Sequence, residues 1–285
     1  MQAVNAVGDS GDSLPVSLIA AALPDAPGAP YLTAADKTSI SVAWAAPNDN
    51  GSPIVNYQIY YSINLGPYSL LDDAVGATTS YTVASLSTGN NYKFKVFAEN
   101  GVGEGDISAE SDPIIAAIVP DPPTDVARVY SDGNMITIDW VAPVDNGGTP
   151  VIDYKVQWDF GLGGAFVEIA DSTSGDALYT RSDSVIEGKT YLFKIIAVNA
   201  IGDSEPSIPA GIIAAKVPQT PNAPTKKSAT TTQIVVQWEE PYDGGSPLTG
   251  YQVWWNSGGS GNTFVKLADI AAGTLEHLED SLTEG

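Results

Sequence analysis

The chain has no cysteine among its 285 residues and a single histidine, His277. The first absence excludes disulfide scaffolds, thiolate metal sites and cysteine nucleophiles, and the second removes most hydrolase and zinc chemistry, which draws on imidazole. Neither fixes a compartment, because a domain with enough core needs no crosslink. Basic residues are scarce as well. Twelve Lys and Arg stand against 34 Asp and Glu, for a net charge of -22, which excludes nucleic-acid phosphate as the main partner and disfavours an anionic membrane surface. The longest apolar run is the short stretch from Leu18 to Leu23, far below the ~18 residues that would insert across a bilayer. What is abundant is glycine and proline, 28 and 20 residues, and helices tolerate both poorly. The chain reads as all-β.

A repeat with a period of about a hundred residues organises it. Trp44, Trp140 and Trp238 recur at intervals of 96 and 98, and Tyr57, Tyr154 and Tyr251 at 97 and 97. Each Trp is followed by a polar turn between two prolines: Pro47 to Pro53, Pro143 to Pro150 and Pro241 to Pro247. The Asn-Gly, Gly-Gly and Asp-Gly pairs in these turns supply the positive φ of a tight reversal. The flanking runs alternate at period two, as half-buried strands do. Ile40, Val42 and Trp44 share one face, as do Ile136, Ile138 and Trp140, and Ile234, Val236 and Trp238. Beyond the turn, Tyr57, Ile59 and Tyr61 repeat as Tyr154, Val156 and Trp158 and as Tyr251, Val253 and Trp255. Tyr92, Phe94, Val96 and Ala98 match Tyr191, Phe193, Ile195 and Ala197. About seven short strands per repeat, each with one inward face, is the pattern of an antiparallel β-sandwich.

The proline-rich starts at Pro24, Pro120 and Pro218, the Trp strand, the Asp-Gly-Gly-x-Pro turn, and the Ala-x-Asn-x-x-Gly ends at Asn100 and Asn199 together resemble fibronectin type III domains. The resemblance covers essentially the whole chain. It implies tandem immunoglobulin-like sandwiches with structural cores on Trp44, Tyr57, Tyr92, Trp140, Tyr154, Tyr191, Trp238 and Tyr251. It also implies a tyrosine corner, with Leu86 ahead of Tyr92 and Val185 ahead of Tyr191. Domains are expected at 23–118 and 119–217. Residues 218–285 would form a domain lacking strands F and G, because Leu282 to Gly285 align with Val185 to Gly188, just before strand F. Residues 1–22 would be the end of strand F plus strand G of a preceding domain, because Ala3 to Ser10 repeats Ala197 to Ser204 almost letter for letter. The expectation is a segment of a longer array. The sharper alternative is a head-to-tail filament, in which residues 1–22 of one copy complete residues 218–285 of another. The proline-rich junctions, without Gly/Ser spacers, predict stiff connections and a rod.

Candidate sites are few. Asp49, Asn50, Asp145, Asn146 and Asp243 carry oxygen ligands suited to calcium, but each turn supplies too few for a site and these residue types also form turns. Asn50-Gly51-Ser52 is a glycosylation sequon followed directly by Pro53. Exposed Ser and Thr would permit O-linked sugars. Outward positions on the strand after the turn are Tyr60, Gln157 and Trp254, and exposed Tyr60 and Trp254 are candidate partner contacts. The family's cell-binding Arg-Gly-Asp position reads Val7-Gly8-Asp9, Glu104-Gly105-Asp106 and Ile201-Gly202-Asp203, without the arginine. His277, lacking a second ligand, reads as a surface residue. No catalytic set and no cofactor are expected.

The function these features imply is a non-catalytic structural or adhesive segment of a larger extracellular or cell-surface glycoprotein, with protein partners that include copies of itself. The alternatives are an intracellular titin-like scaffold and the accessory spacer of a secreted polysaccharide-degrading enzyme. Zero cysteine and the -22 charge favour the outside.

Overall fold

In a computed structural model that describes residues 1–16, 20–256, 263–280 and 282, the chain is all-β, every ladder is antiparallel and the described residues contain no helix. It divides into two compact units, Met1–Val119 with Gly147–Pro150 and Pro120–Asn146 with Val151–Gly285.

The first unit opens with a hairpin, β1 (Val4–Asn5) against β2 (Gly8–Asp9). Its sandwich then sets a sheet of β3 (Tyr31–Ala35), β4 (Ile40–Ala43) and β7 (Ser80–Val83) against one of β6 (Ser69–Asp72), β5 (Ile54–Ile63), β8 (Asn91–Asn100) and β9 (Ile114–Ile115). The alternation in β4, β5 and β8 places Ile40, Val42, Tyr57, Ile59, Tyr92, Phe94, Val96 and Ala98 in one buried cluster with Trp44. Burying each large side chain contributes about 1.5–3 kcal/mol. The Trp44 and Tyr57 rings meet edge to face at 5.4 Å.

The second unit contains two further repeats. In one, β10 (Thr124–Ser131), β11 (Ile136–Val141) and β14 (Leu178–Arg181) face β13 (Val167–Ala170), β12 (Asp153–Trp158), β15 (Thr190–Val198) and β16 (Ala210–Ile213). Its core repeats the first, with Trp140 and Tyr154 at 5.3 Å. Trp158 is fully buried and stacks on Tyr191 at 4.9 Å. The last repeat holds β17 (Thr225–Ala229), β18 (Ile234–Gln237) and β21 (Glu276–Glu279) in one sheet and β19 (Gly250–Trp255) with β20 (Val265–Ala271) in the other. Trp238 and Tyr251 keep the edge-to-face contact at 5.4 Å, yet both are only half-buried. The reason is topological: β5 and β12 are flanked on both edges, whereas β19 pairs only with β20 among the described residues.

Two local devices recur. The Tyr92 hydroxyl accepts from Ser87 N (3.0 Å) and donates to Ser87 O (3.3 Å), while that of Tyr191 accepts from Ile186 N (2.8 Å) and donates to Ser184 O (3.1 Å), beside buried Leu86 and Val185. Such a corner ties the loop before the strand to the strand itself. The second device is a row of serines. Ser108 donates its amide to Val96 O (2.9 Å) and accepts Val96 N on its Oγ (3.0 Å). Ser111 does the same for Phe94, Ser207 for Ile195, Ser204 for Ala197 and, in the leading hairpin, Ser10 for Ala3. One serine thus satisfies both polar groups of a strand residue where the neighbouring chain is too irregular to form a ladder.

Candidate functional site

The turn between the first two core strands does structural work in each repeat. In the first, Asn50 (φ 51°) and Gly51 (φ 89°) reverse the chain, Asp49 Oδ1 accepts Gly51 N (3.0 Å) and the turn carbonyls receive the incoming chain, Ala22 N on Asn50 O and Asp25 N on Asn48 O, both at 3.0 Å. The third repeats this with Lys216 N on Gly244 O and Gln219 N on Tyr242 O, both 2.9 Å, and Asp243 Oδ1 accepts Gly245 N (2.9 Å). In the second, Asp145 O receives Asp121 N at 3.0 Å. The described residues contain no group of three or more His, Asp or Glu placed to hold a metal ion. The Asn50 Nδ2 that would carry an N-linked sugar donates to Leu23 O (2.8 Å) and to Asp25 Oδ1 (3.0 Å); a glycan there takes one of the two N–H groups and removes one of these bonds.

The outward faces of the four-stranded sheets carry mixed aromatic and charged patches. Tyr60 is half-buried, its ring edge to face with Phe97 at 5.5 Å and its hydroxyl on Gln58 Oε1 at 3.4 Å. Beside it Lys95 sits 4.6 Å above the Tyr68 ring. Tyr68 donates to Glu110 (3.0 Å), which also takes Lys93 at 2.6 Å. Burial first, then the bond to Glu110 and its charge, push the Tyr68 hydroxyl up to about 12. The bonds from Lys93 and then Tyr68 hold the Glu110 carboxyl below its usual value. In the second repeat Lys194 lies 4.2 Å above Phe166, and Lys155 pairs with Asp203 at 2.6 Å. In the third, Trp254 is 51% exposed and stands across from Lys266 in the ladder.

Tyr68, Phe166 and Phe264 each immediately precede the strand that flanks the central one, β6, β13 or β20, at intervals of 98 and 98. The interval of this aromatic is legible in the sequence, whereas the lysines stacked on Tyr68 and Phe166 are not. Cation–ring contacts of this kind contribute about 0.5–1 kcal/mol at exposed sites.

Two carboxylates of the second repeat are loop fasteners. Asp153 Oδ1 accepts the amides of Tyr154, Thr173 and Gly175 (2.8–3.2 Å). Burial raises its carboxyl, but the bonds from Ser172 and these amides outweigh that and bring it down to about 2. Asp159, 2% exposed, accepts Gly161, Gly163 and Leu192 amides (2.8–3.0 Å); burial raises it and the three backbone bonds more than reverse the effect. His277 lies on the inner side of β21, opposite Val236, with its Nε2 3.8 Å from Glu279 and its side chain 16% exposed. The expected surface position is filled instead by Glu276 and Leu278, because alternation along β21 sends those two outward. In the same repeat Trp238, Tyr251, Val236, Val253 and Pro221 to Pro224 line a groove of about 300 Å³.

Among the described residues, the hydroxyls, amides and carboxylates named above fasten loops, and the outward faces offer contact surface. Residues 25–114 match the fibronectin type III domain. The chain is 31% identical over 241 residues to striated-muscle M-protein of Gallus gallus, spanning 81% of this chain and 16% of that protein. It is 28% identical over 277 residues to fibronectin type-III domain-containing protein 3A of Mus musculus, spanning 92% of this chain and 22% of that protein. To receptor-type tyrosine-protein phosphatase S of Gallus gallus it is 29% identical over 227 residues, 77% of this chain and 14% of the other. It therefore spans less than a quarter of the length of these curated relatives. Among solved structures, the chicken CNTN1 FN1–FN3 segment aligns at TM-score 0.41 and 22% identity, covering 92% of this chain and 90% of that one.

Proposed function

The chain belongs to the fibronectin type III family as a tandem array of its domains, and from that premise we propose that it is a non-catalytic structural or adhesive segment of a larger extracellular or cell-surface protein. The observation that carries this reading is the threefold Trp–Tyr core, at 5.4, 5.3 and 5.4 Å, surrounded by polar groups committed to fastening loops. The domain limits are 23–118, 119–217 and 218–285, with residues 1–22 belonging to a preceding sandwich. Tyr60 and Trp254 are the contact residues, partners are proteins including further copies of the chain, and neither calcium nor any other cofactor takes part.

Lack of cysteine and the -22 charge support the outside. The 31% identity to striated-muscle M-protein supports the second reading, an intracellular scaffold. Surface biotinylation of cells making the native protein distinguishes them: labelling is expected, and recovery solely from unlabelled cytosol overturns the extracellular reading. Sedimentation of the chain across a concentration series tests self-association, which a mass of 29.6 kDa at every concentration excludes.

A further inference from the structure

Asn100 closes β8 with a side chain only 3% exposed. Its Oδ1 accepts the amides of Val102 (2.8 Å) and Gly103 (3.2 Å), capping the tight turn after the strand. Its Nδ2 donates to Ala22 O (2.8 Å) and Asp49 O (2.9 Å). A carboxamide has two donors and two acceptor lone pairs, so its capacity is fully used. The single side chain joins three stretches distant in sequence: the segment entering the sandwich, the turn at Asp49 to Gly51 and the turn after β8. Asn199, also 3% exposed, repeats the tie between the two turns, accepting Ile201 N (2.8 Å) and Gly202 N (3.1 Å) and donating to Asn146 O (2.9 Å).

We propose that Asn100 is a latch, coupling the turn after β8 to the chain segment that enters the same sandwich, so that the two lock and release together. The physical basis is geometry within one rigid planar group. Oδ1 and Nδ2 cannot move independently, so opening the turn swings the donor away from its carbonyls, and pulling the entering segment away swings the acceptor from the turn. Coupling of this kind is reciprocal: a partner that binds the turn and rearranges it loosens the entering segment, and tension on that segment alters the turn.

The test is amide hydrogen exchange on the full 285-residue chain. Asn100→Asp keeps the acceptor for Val102 and Gly103 but points a carboxylate at two carbonyl oxygens in place of the donor. Exchange at Ala22 and Asp25 is expected to accelerate roughly tenfold or more, with Val102, Gly103 and the amides of β5 unchanged. A second arm is Val102→Pro, which removes a turn amide that Oδ1 accepts. It should speed exchange at Ala22 when Asn100 is present and add nothing when Asn100 is replaced by Asp, a non-additive cycle. Unchanged exchange at Ala22 and Asp25 in Asn100→Asp, acceleration spread evenly over the sandwich, or additive effects in the cycle would each overturn the latch.

Discussion

Ser108→Ala isolates what the serine row contributes. In the native chain Val96 is wholly buried and Ser108 is 3% exposed. Ser108 takes both Val96 polar groups, N–H on its Oγ at 3.0 Å and C=O on its own amide at 2.9 Å. The alanine variant keeps the backbone bond and loses only the acceptor, leaving the Val96 N–H orphaned in a dry site; such a group costs about 1–3 kcal/mol. For a sandwich of this size each kcal/mol is ~4–8 °C in Tm, so its unfolding should fall by about 5–20 °C. The chain holds several sandwiches and does not melt as one transition, so the assay must be local. Exchange protection of the Phe94 to Ala98 amides reports the first sandwich, while the second serves as internal reference. Ser207→Ala, which orphans Ile195 N in the same way, should reproduce the effect with the two roles exchanged. Ser41→Ala is the control, because its hydroxyl pairs with Thr82 at an exposed position and should cost less than ~0.5 kcal/mol. If Ser108→Ala and Ser41→Ala cost the same, the argument that the hydroxyl replaces a ladder bond is wrong.

Three further outcomes follow from the geometry. Asp153 has its folded-state carboxyl depressed to about 2 from the usual 3.8, so its contribution is present above the unfolded value and is lost as pH falls from about 4 towards 2; thermal melts of the second repeat should show that loss in the native chain and not in Asp153→Asn, whose Oδ1 can accept the same amides. Tyr191→Phe removes an acceptor and a donor from the loop at Ser184 and Ile186 and should cost about 1–2 kcal/mol in urea unfolding; a change below that range argues that packing of Val185 alone holds the corner. Expression through a secretory pathway should leave Asn50 without sugar, because its Nδ2 is engaged twice and Pro53 follows the sequon; a glycopeptide containing Asn50 in a mass map would refute this.

Much of the fold could be read from residue order. Alternation of Ile40, Val42 and Trp44 against polar neighbours, the Asn-Gly and Gly-Gly turns, and the return of both at about a hundred residues specify antiparallel sandwiches. Period-two alternation leaves a strand one way to face a core. The repeat also placed Ala3 to Ser10 beside Ala197 to Ser204, and their turns share the same hydrogen bonds, Asn5 Oδ1 accepting Val7 and Gly8 amides as Asn199 Oδ1 accepts those of Ile201 and Gly202.

The contact faces were less legible, because strand alternation says which way a side chain points and not what stands beside it. Tyr60 is outward by count, but whether it is free depends on Phe97, 37 residues later, whose ring closes on it at 5.5 Å. The stacking of Lys95 on Tyr68 and of Lys194 on Phe166 joins residues 27 and 28 positions apart in the sequence. His277 looked like a surface residue for want of a second ligand, and register against Val236 turned it inward.

Residue order alone therefore determined the class of fold and its period, since these depend on composition and on patterns within a few residues. Tertiary structure alone decided which polar groups are spent: that Ser108 replaces a ladder bond, and that Asn50 and Asn100 hold the incoming chain. Hydrogen bonds and burial are properties of pairs and neighbours brought together across 50 to 80 residues, and an amide or hydroxyl carries no mark in the sequence of the partner that will claim it.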